Sequence, residues 1–271
     1  MEQNLPNLRA KGLGVVAISY DSQAVLRNFA DRKAITFPLL SDPESKIIRA
    51  FNILNESVQQ GSTQFGIPYP GTYILDTKGI VTAKFFENDF RERTAASDIL
   101  AREFGIQPAS AGGGADAKHV HLTYAASTAT ARPGQRIALS LDLDLGPNMH
   151  VYAPGVSGYI PIDWKIDEGP AAKLQPFSYP ASETLRLEVI KETVPVYRKH
   201  VSITREVTFG QENALRPLLT PEGDLVLRGS FRYQACNDKE CFIPETVPLE
   251  WRFHFSGLER ERVPAELQRK K

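Results

Sequence analysis

Ile137–Leu145 reads IALSLDLDL, and its beat decides the fold of the second half of the chain. Ile137, Leu139, Leu141, Leu143 and Leu145 alternate with Ala138, Ser140, Asp142 and Asp144. Successive strand side chains point to opposite faces, so this stretch has one apolar and one mainly polar face. The same period of two recurs in Val201–Phe209, Leu225–Ala235 and Val247–Phe255, with Arg205 as a single interruption. Strands at short spacing, with Pro and Gly between them and no long helical pattern, predict an antiparallel β-sandwich.

Moving toward the amino terminus, the period changes across Gln107–Lys118, QPASAGGGADAK. Three consecutive glycines flanked by small residues predict a flexible linker. Before it, strands and helices alternate. Leu13–Ser19 is a short apolar run of the kind found in doubly covered parallel strands. Ser22–Arg32 carries Val25, Leu26 and Phe29 at helical spacing, with Asp21 or Ser22 as cap. Phe37–Leu40 reads as a second strand, and Ser41-Asp42-Pro43 as a helix start, since proline is tolerated in a first turn. Thr72–Leu75 and Ile80–Phe86 flank the turn Asp76-Thr77-Lys78-Gly79, and Arg93–Phe104 closes as a helix. The order β-α-β-α-β-β-α is that of an α/β layer domain. The boundaries expected are 1–106 for this domain, 107–118 for the linker, 119–256 for the sandwich and 257–271 for a charged tail, as a surface helix or frayed end.

With 271 residues there is room for about two domains. Lys+Arg 32 against Asp+Glu 32 gives no net charge, which argues against a nucleic-acid partner or a polybasic membrane surface. The start, MEQNLPNLRAKG, lacks the apolar core of a signal peptide. No Walker loop, GxGxxG, GxSxG or HExxH is present, so phosphoryl transfer, dinucleotide binding and serine or zinc hydrolysis have no support, and no cofactor is expected. His119 and His121 share one face of a strand but lack a third ligand, so a solvated pair is expected rather than a metal site. His150 and His254 read as satisfied histidines. Asn55-Glu56-Ser57 fits a glycosylation acceptor pattern weakly.

Thiol chemistry rests on Cys236 and Cys241 alone. The four polar residues between them lie between alternating strands and read as a hairpin loop. Cross-strand Cα atoms stand ~4.5–5.5 Å apart and a disulfide usually takes ~4.4–6.8 Å, so the sulfurs can pair. Closing so short a loop contributes about 2 kcal/mol in the chain-entropy model. Leu225, Leu227, Phe231 and Tyr233 share one face, so parity predicts that Cys236 points to the other, nearer solvent. Arrangement alone leaves a structural disulfide, a reversible one, two buried thiols and a metal pair all open.

Three stretches carry a resemblance in the first half: GVVAISYDS (Gly14–Ser22), FPLLSDPESKIIRAF (Phe37–Phe51) and GIPYPGTYILDTKGIVTAKFF (Gly66–Phe86). They resemble the thioredoxin-fold redoxins of the alkyl hydroperoxide reductase and thiol-specific antioxidant group. That resemblance implies a cis-proline role for Pro70, facing a reactive thiol. It also implies a cysteine-bearing helix and a central strand between Leu13–Ser19 and Thr72–Leu75. Met1–Lys11 resembles only the back end of that helix, so the resemblance implies an amino-terminally truncated redoxin domain. With no cysteine before Cys236, peroxide turnover is not expected.

RYQACNDKECFIPETVPLEW (Arg232–Trp251), with MHVYAPG (Met149–Gly155) and VPVYRKHVSIT (Val194–Thr204), is similar to the amino-terminal domain of DsbD. This implies an immunoglobulin-like sandwich and an extracytoplasmic setting, although without a recognisable export signal a cytoplasmic one stays open. It implies Cys236 and Cys241 as an electron-relay pair, Tyr233 and Gln234 as site-shaping neighbours, and Pro244 fixing the exit strand. Implied partners are thioredoxin-fold proteins or a membrane thiol donor. The chain's own redoxin domain is another, within the ~20 Å reach of a dozen flexible residues. The resemblance places a cap loop at Leu187–Thr193, where no aromatic occurs and Ile190 is a partial substitute. The other reading is a binding or structural module with an inert disulfide.

Overall fold

The computed structural model describes residues 1–86, 91–104, 112–187 and 191–268. It divides into one unit of Met1–Ile106 with Glu259–Lys271, and a second of Gln107–Leu258.

The first unit contains α1 (Leu5–Ala10), β1 (Ala17–Ser19), α2 (Gln23–Lys33), β2 (Leu39–Ser41), α3 (Lys46–Ala50), β3 (Gly71–Leu75), β4 (Val81–Phe86), β5 (Arg93–Thr94) and α4 (Ala96–Phe104). Local chemistry sets most of these limits. Ser22 caps α2 by accepting from the Val25 amide at 3.4 Å. The strands either side of α2 pair in parallel, Ile18 opposite Leu40, as a helical crossover connection allows. Asp42 accepts from the Lys46 and Ile48 amides, both at 2.9 Å. Helix α3 therefore begins at Lys46, leaving Pro43 ahead of its first turn. Asp76 accepts from Lys78 and Ile80 and closes the β3–β4 hairpin, with Gly79 at φ +80°, a region glycine enters without Cβ strain. Among the described residues β1–β2 and β3–β4 are separate two-stranded sheets. An apolar cavity of about 560 Å³ is lined by residues that include Ile18, Phe51 and Ile74. Asn55 is 5% exposed and its Oδ1 accepts from Ser57, so it is a buried turn-former and not an open glycan acceptor.

The tail corrects the expectation of a frayed end or surface helix. Glu259–Lys271 groups with the first unit, and its described residues, up to 268, form only a short 3₁₀ turn at Ala265–Leu267. Glu261 pairs with Arg32 at 2.8 Å, and Glu259 with Lys33, both basic residues of the last turn of α2.

The second unit contains β6 (Gly113–Ala117), β7 (Val120–Ala126), β8 (Thr130–Ala131), β9 (Gln135–Leu145), β10 (His150–Tyr152), β11 (Asp163–Ile166), β12 (Ala172–Leu174), β13 (Glu183–Leu187), β14 (Glu192–Arg198), β15 (His200–Phe209), α5 (Glu212–Leu215), β16 (Asp224–Tyr233), β17 (Ala235–Cys236) and β18 (Glu245–Phe255). One sheet runs β12-β15-β9-β7-β6 and the facing one β11-β16-β18-β8. The alternation of β9 is visible in burial: Ile137, Leu139, Leu141 and Leu143 are at most 1% exposed. On the facing sheet Leu225, Phe231, Trp251 and Phe253 are 0% exposed. Phe209 of β15 stands edge-on to Phe253 of β18 at 5.1 Å, and Tyr124 edge-on to Trp251 at 5.3 Å. This is the immunoglobulin-like sandwich. Arg205, which breaks the beat of β15, donates to the Trp164 carbonyl at 2.6 Å and covers the Phe177 ring at 4.6 Å.

The glycine stretch differs from the linker expected. Gly113–Ala117 pair antiparallel with Val120–Tyr124, extending the sheet past β7. A Cβ on Gly112 would stand 2.1 Å from the Tyr124 carbonyl oxygen, so this glycine permits close backbone approach. The part of the expected linker at 107–111 lies outside the described residues.

The core should carry the stability of the second unit. Phe253→Ala is expected to cost ~3–5 kcal/mol in urea unfolding, as a lost buried aromatic does. Ile243→Ala, at a side chain 88% exposed, is expected to stay within ~0.5 kcal/mol. Equal losses in the two variants would contradict this packing.

Candidate redox site

A third sheet, β13-β14-β10-β17, builds the site. The chain runs along β16 to Tyr233, leaves that ladder at Gln234, and pairs Ala235 and Cys236 with Val151 and His150 of β10. Parity counted along β16 does not survive this change of sheet. Cys236 is therefore 0% exposed, against the expectation that it would lie nearer solvent. Cys241 is exposed. The two are joined in a disulfide with Cα atoms 4.0 Å apart.

The connecting turn is closed by its own first residue. Asn237 Oδ1 accepts from the Lys239 and Glu240 amides, and its own amide donates to the Glu240 carbonyl at 2.9 Å. Gln234 Nε2 donates to the Phe242 carbonyl, and the Phe242 amide returns to Ala235, so the segment after Cys241 is fixed to the segment before Cys236. Phe242 stacks on His119 with ring centres 3.8 Å apart. Tyr233 is buried beneath this loop, its hydroxyl 2.7 Å from Glu245 Oε2 and 2.9 Å from the Lys118 carbonyl. Burial, then the Glu245 carboxylate, push the Tyr233 phenol upward, and the phenol's hydrogen bond holds Glu245 below the usual carboxylate range. Pro244 is half-buried, immediately before β18.

Sequence reading missed the aromatic side of the site. Tyr152 is 2% exposed, and its phenol donates toward Cys241 Sγ at 3.7 Å, within sulfur hydrogen-bond range. Tyr159 stacks on Tyr152 at 4.4 Å and donates to Glu192 Oε2 at 2.8 Å. That bond pushes the Tyr159 phenol up to about 12, and burial raises Tyr152, so both phenols stay protonated in ordinary buffers. Tyr159, Leu185 and Leu187 pack on the cluster of Tyr152, Val194, Val196 and Cys236. The cap stretch expected at Leu187–Thr193 is described only at its ends; Ile190, within 188–190, lies outside the described residues. The signal for Tyr152 was present in MHVYAPG; nothing local marked Tyr159, which reaches the site through a loop.

His150 also departs from expectation. It is 2% exposed and its Nε2 has no partner, so it is not a satisfied core histidine. Burial lowers its pKa, with Asp238 opposing and Arg198 assisting. His254 lies 3.7 Å from Asp224.

Pro70 belongs to the first unit, half-buried in a cleft lined also by Ile18, Tyr20, Asp21 and Asn55. Among the described residues every peptide bond is trans, which corrects the cis-proline expectation. The residues before Pro70 are held extended, Tyr69 donating to the Ile53 carbonyl at 2.7 Å and Leu54 bridging Pro68. The trans isomer, already favoured by ~0.5–1 kcal/mol, suits that pairing.

Residues 1–84 match the AhpC/TSA family, and residues 119–250 match the family described as thiol:disulfide interchange protein DsbD, N-terminal. A Mycobacterium tuberculosis (strain ATCC 25618 / H37Rv) protein named as a peroxiredoxin is 37% identical over 83 residues, 30% of this chain and 52% of that protein. Peroxiredoxin Bcp of Escherichia coli (strain K12) is 29% identical over 91 residues, 34% of this chain and 56% of that one. The crystal structure of the N-terminal periplasmic domain of ScsB from Proteus mirabilis superposes with a TM-score of 0.38 at 13% identity, covering 53% of this chain and 51% of that one. The chain spans about half the length of the curated relatives it matches. A segment similar to the AhpC/TSA family thus precedes one similar to the DsbD N-terminal family.

The depressed pKa of His150 has a stability consequence of definite sign. The unfolded chain binds this proton more tightly, so stability rises with pH between the folded value and the ordinary ~6.5. The effect of Glu245, also depressed, falls below the ordinary carboxylate value of 4.5 and leaves that window clear. The thermal midpoint of the oxidised protein should fall as pH drops below ~6.5, and His150→Phe should flatten that slope. An unchanged slope in the variant would contradict the burial argument.

Proposed function

We propose that the second unit is a thiol–disulfide relay in which Cys236 and Cys241 alternate between disulfide and dithiol. The observation that carries this reading is the asymmetry of the pair: Cys241 is exposed while Cys236 is sealed beneath the sheet. An attacking thiolate can reach one sulfur only, and thiol exchange depends on which sulfur is accessible. A donor thiolate forms a bond to Cys241 Sγ, the internal S–S bond breaks, and Cys236 departs with the electron pair as a thiolate. The donor's second thiolate then displaces Cys241. Two electrons enter this chain, the donor becomes a disulfide, and two protons complete the dithiol. Tyr152 stands where its phenol can donate to the Cys241 thiolate and stabilise it.

Tyr233 and Gln234 serve as positioning residues. Tyr233 fastens the start of β18 through Glu245, and Gln234 ties the two flanks of the loop. Pro244 stiffens the exit. The partners that fit an exposed single sulfur are thioredoxin-fold dithiols, a membrane-bound thiol donor, or a redoxin domain such as the one that the first unit resembles. Pro70 lines a cleft of the first unit.

Redox titration of the chain in dithiol–disulfide buffers should show two thiols gained per molecule, with a midpoint above about −300 mV. A midpoint far below that value would mark an inert structural bond and favour the other reading. Peroxide consumption with a thiol donor should be absent, because Cys236 lies on strand β17 and Cys241 follows the turn after it, neither at the helix amino terminus that lowers a peroxidatic thiol's pKa. Sustained turnover, lost in Cys236→Ser/Cys241→Ser, would overturn that expectation.

A further inference from the structure

Cys236, His150 and Arg198 form one row across three strands: Cys236 on β17 is opposite His150 on β10, which is opposite Arg198 on β14. Directly opposite residues project to one face with Cβ atoms ~4.5–5.5 Å apart. Tyr152, two residues along β10, shares that face, its ring edge-on to the imidazole at 5.4 Å. His150 and Cys236 are 2% and 0% exposed. A buried polar atom without a partner, as Nε2 is, costs ~1–3 kcal/mol and calls for an explanation.

The relay has an unmet requirement at this place. In the donating direction, Cys241 attacks a partner disulfide and becomes a mixed disulfide. Cys236 must then attack Cys241 Sγ to release the partner. The attacking species is a thiolate, while a thiol in apolar surroundings has its pKa raised and holds its proton. Water cannot reach Cys236 to remove it.

We propose that His150 is the general base that takes the proton of Cys236 during closure of the disulfide, and returns it when the disulfide opens. The proposal rests on the relay reading. In closure, the Cys236 S–H proton passes to the unpartnered imidazole nitrogen, and the thiolate bonds to Cys241 Sγ. The Cys241–partner S–S bond breaks, and the partner leaves as a thiolate with the electron pair. The imidazolium then loses its proton to solvent. In opening, the same proton path runs backward and neutralises the departing Cys236 thiolate.

The charges around the ring suit a base. The neighbours acting on the ring are Asp238 from the turn, Arg198 from β14 and the neutral phenol of Tyr152. Arg198 is itself engaged by Glu183 at 2.6 Å, which tempers its repulsion. Burial outweighs the Asp238 attraction, so the imidazole is neutral at neutral pH, with a lone pair available.

The test follows the two steps separately. Reduced protein is mixed with dithionitrobenzoate, an aromatic disulfide. The first thionitrobenzoate released reports attack by Cys241, and the second reports closure by Cys236. Wild-type closure should level off once the imidazole is neutral, below the ~8.5 of an ordinary thiol. In His150→Phe and His150→Gln, closure should slow by about 10²-fold and climb with pH through the thiol range, with the first release unchanged within ~2-fold. Wild-type closure that climbs without a plateau through ~8.5 overturns the proposal without recourse to any variant. Unchanged closure in both variants overturns it too, leaving the relay intact. If wild-type protein releases one thionitrobenzoate and never closes, the relay reading falls, and the role of His150 with it.

Discussion

The candidate redox site depends on one change of backbone partner. Between Tyr233 and Ala235 the chain abandons the ladder with β18 and takes up β10, so Gln234 is the pivot. Had β16 continued in register, Cys236 would have projected away from Tyr233's buried face. Re-pairing resets the parity, buries Cys236 opposite His150, and leaves the following turn to carry Cys241 outward. The Asn237 side chain then needs to fix only two amides for the sulfurs to meet. A chemically unequal cysteine pair thus arises from hydrogen bonding of the main chain.

The surroundings hold this geometry from two sides. Below, the Tyr233–Glu245 bond and the Lys118 turn tie the loop to the sandwich, whose aromatic core is closed by Trp251 and Phe253. Above, Tyr152 and Tyr159 stack and are anchored on Glu192, which lies at the start of β14. Both phenols remain donors across the physiological range, so Tyr152 offers a proton toward Cys241 whatever the state of the sulfur. Rigid placement of such donors stabilises a thiolate more than mobile water would.

Much of this was legible in the sequence, and the failures have physical causes. Alternation within one ladder, as in Ile137–Leu143, is read directly because burial enforces it. The same rule misplaced Cys236 because parity is a property of a ladder, not of a chain. The triglycine stretch reads as flexible by composition, yet Gly112 answers a steric demand from Tyr124 and Gly113–Ala117 complete a sheet edge. Composition carries no information about which backbone needs a neighbour. Pro70 is trans, in a segment paired as extended chain with Ile53 and Leu54, which is a tertiary fact. Tyr159 and Glu192 stand 33 residues apart, and His150 becomes informative only once its partner strand is known.

The central claim is that Cys241, and not Cys236, exchanges with partners. The most direct measurement maps the adduct formed when reduced protein is briefly treated with a limiting amount of a small disulfide and quenched in acid, read by peptide mass spectrometry. The account predicts the first adduct on Cys241, with Cys236 left as a thiol. An adduct that appears first on Cys236, or on both at equal rates, would contradict it.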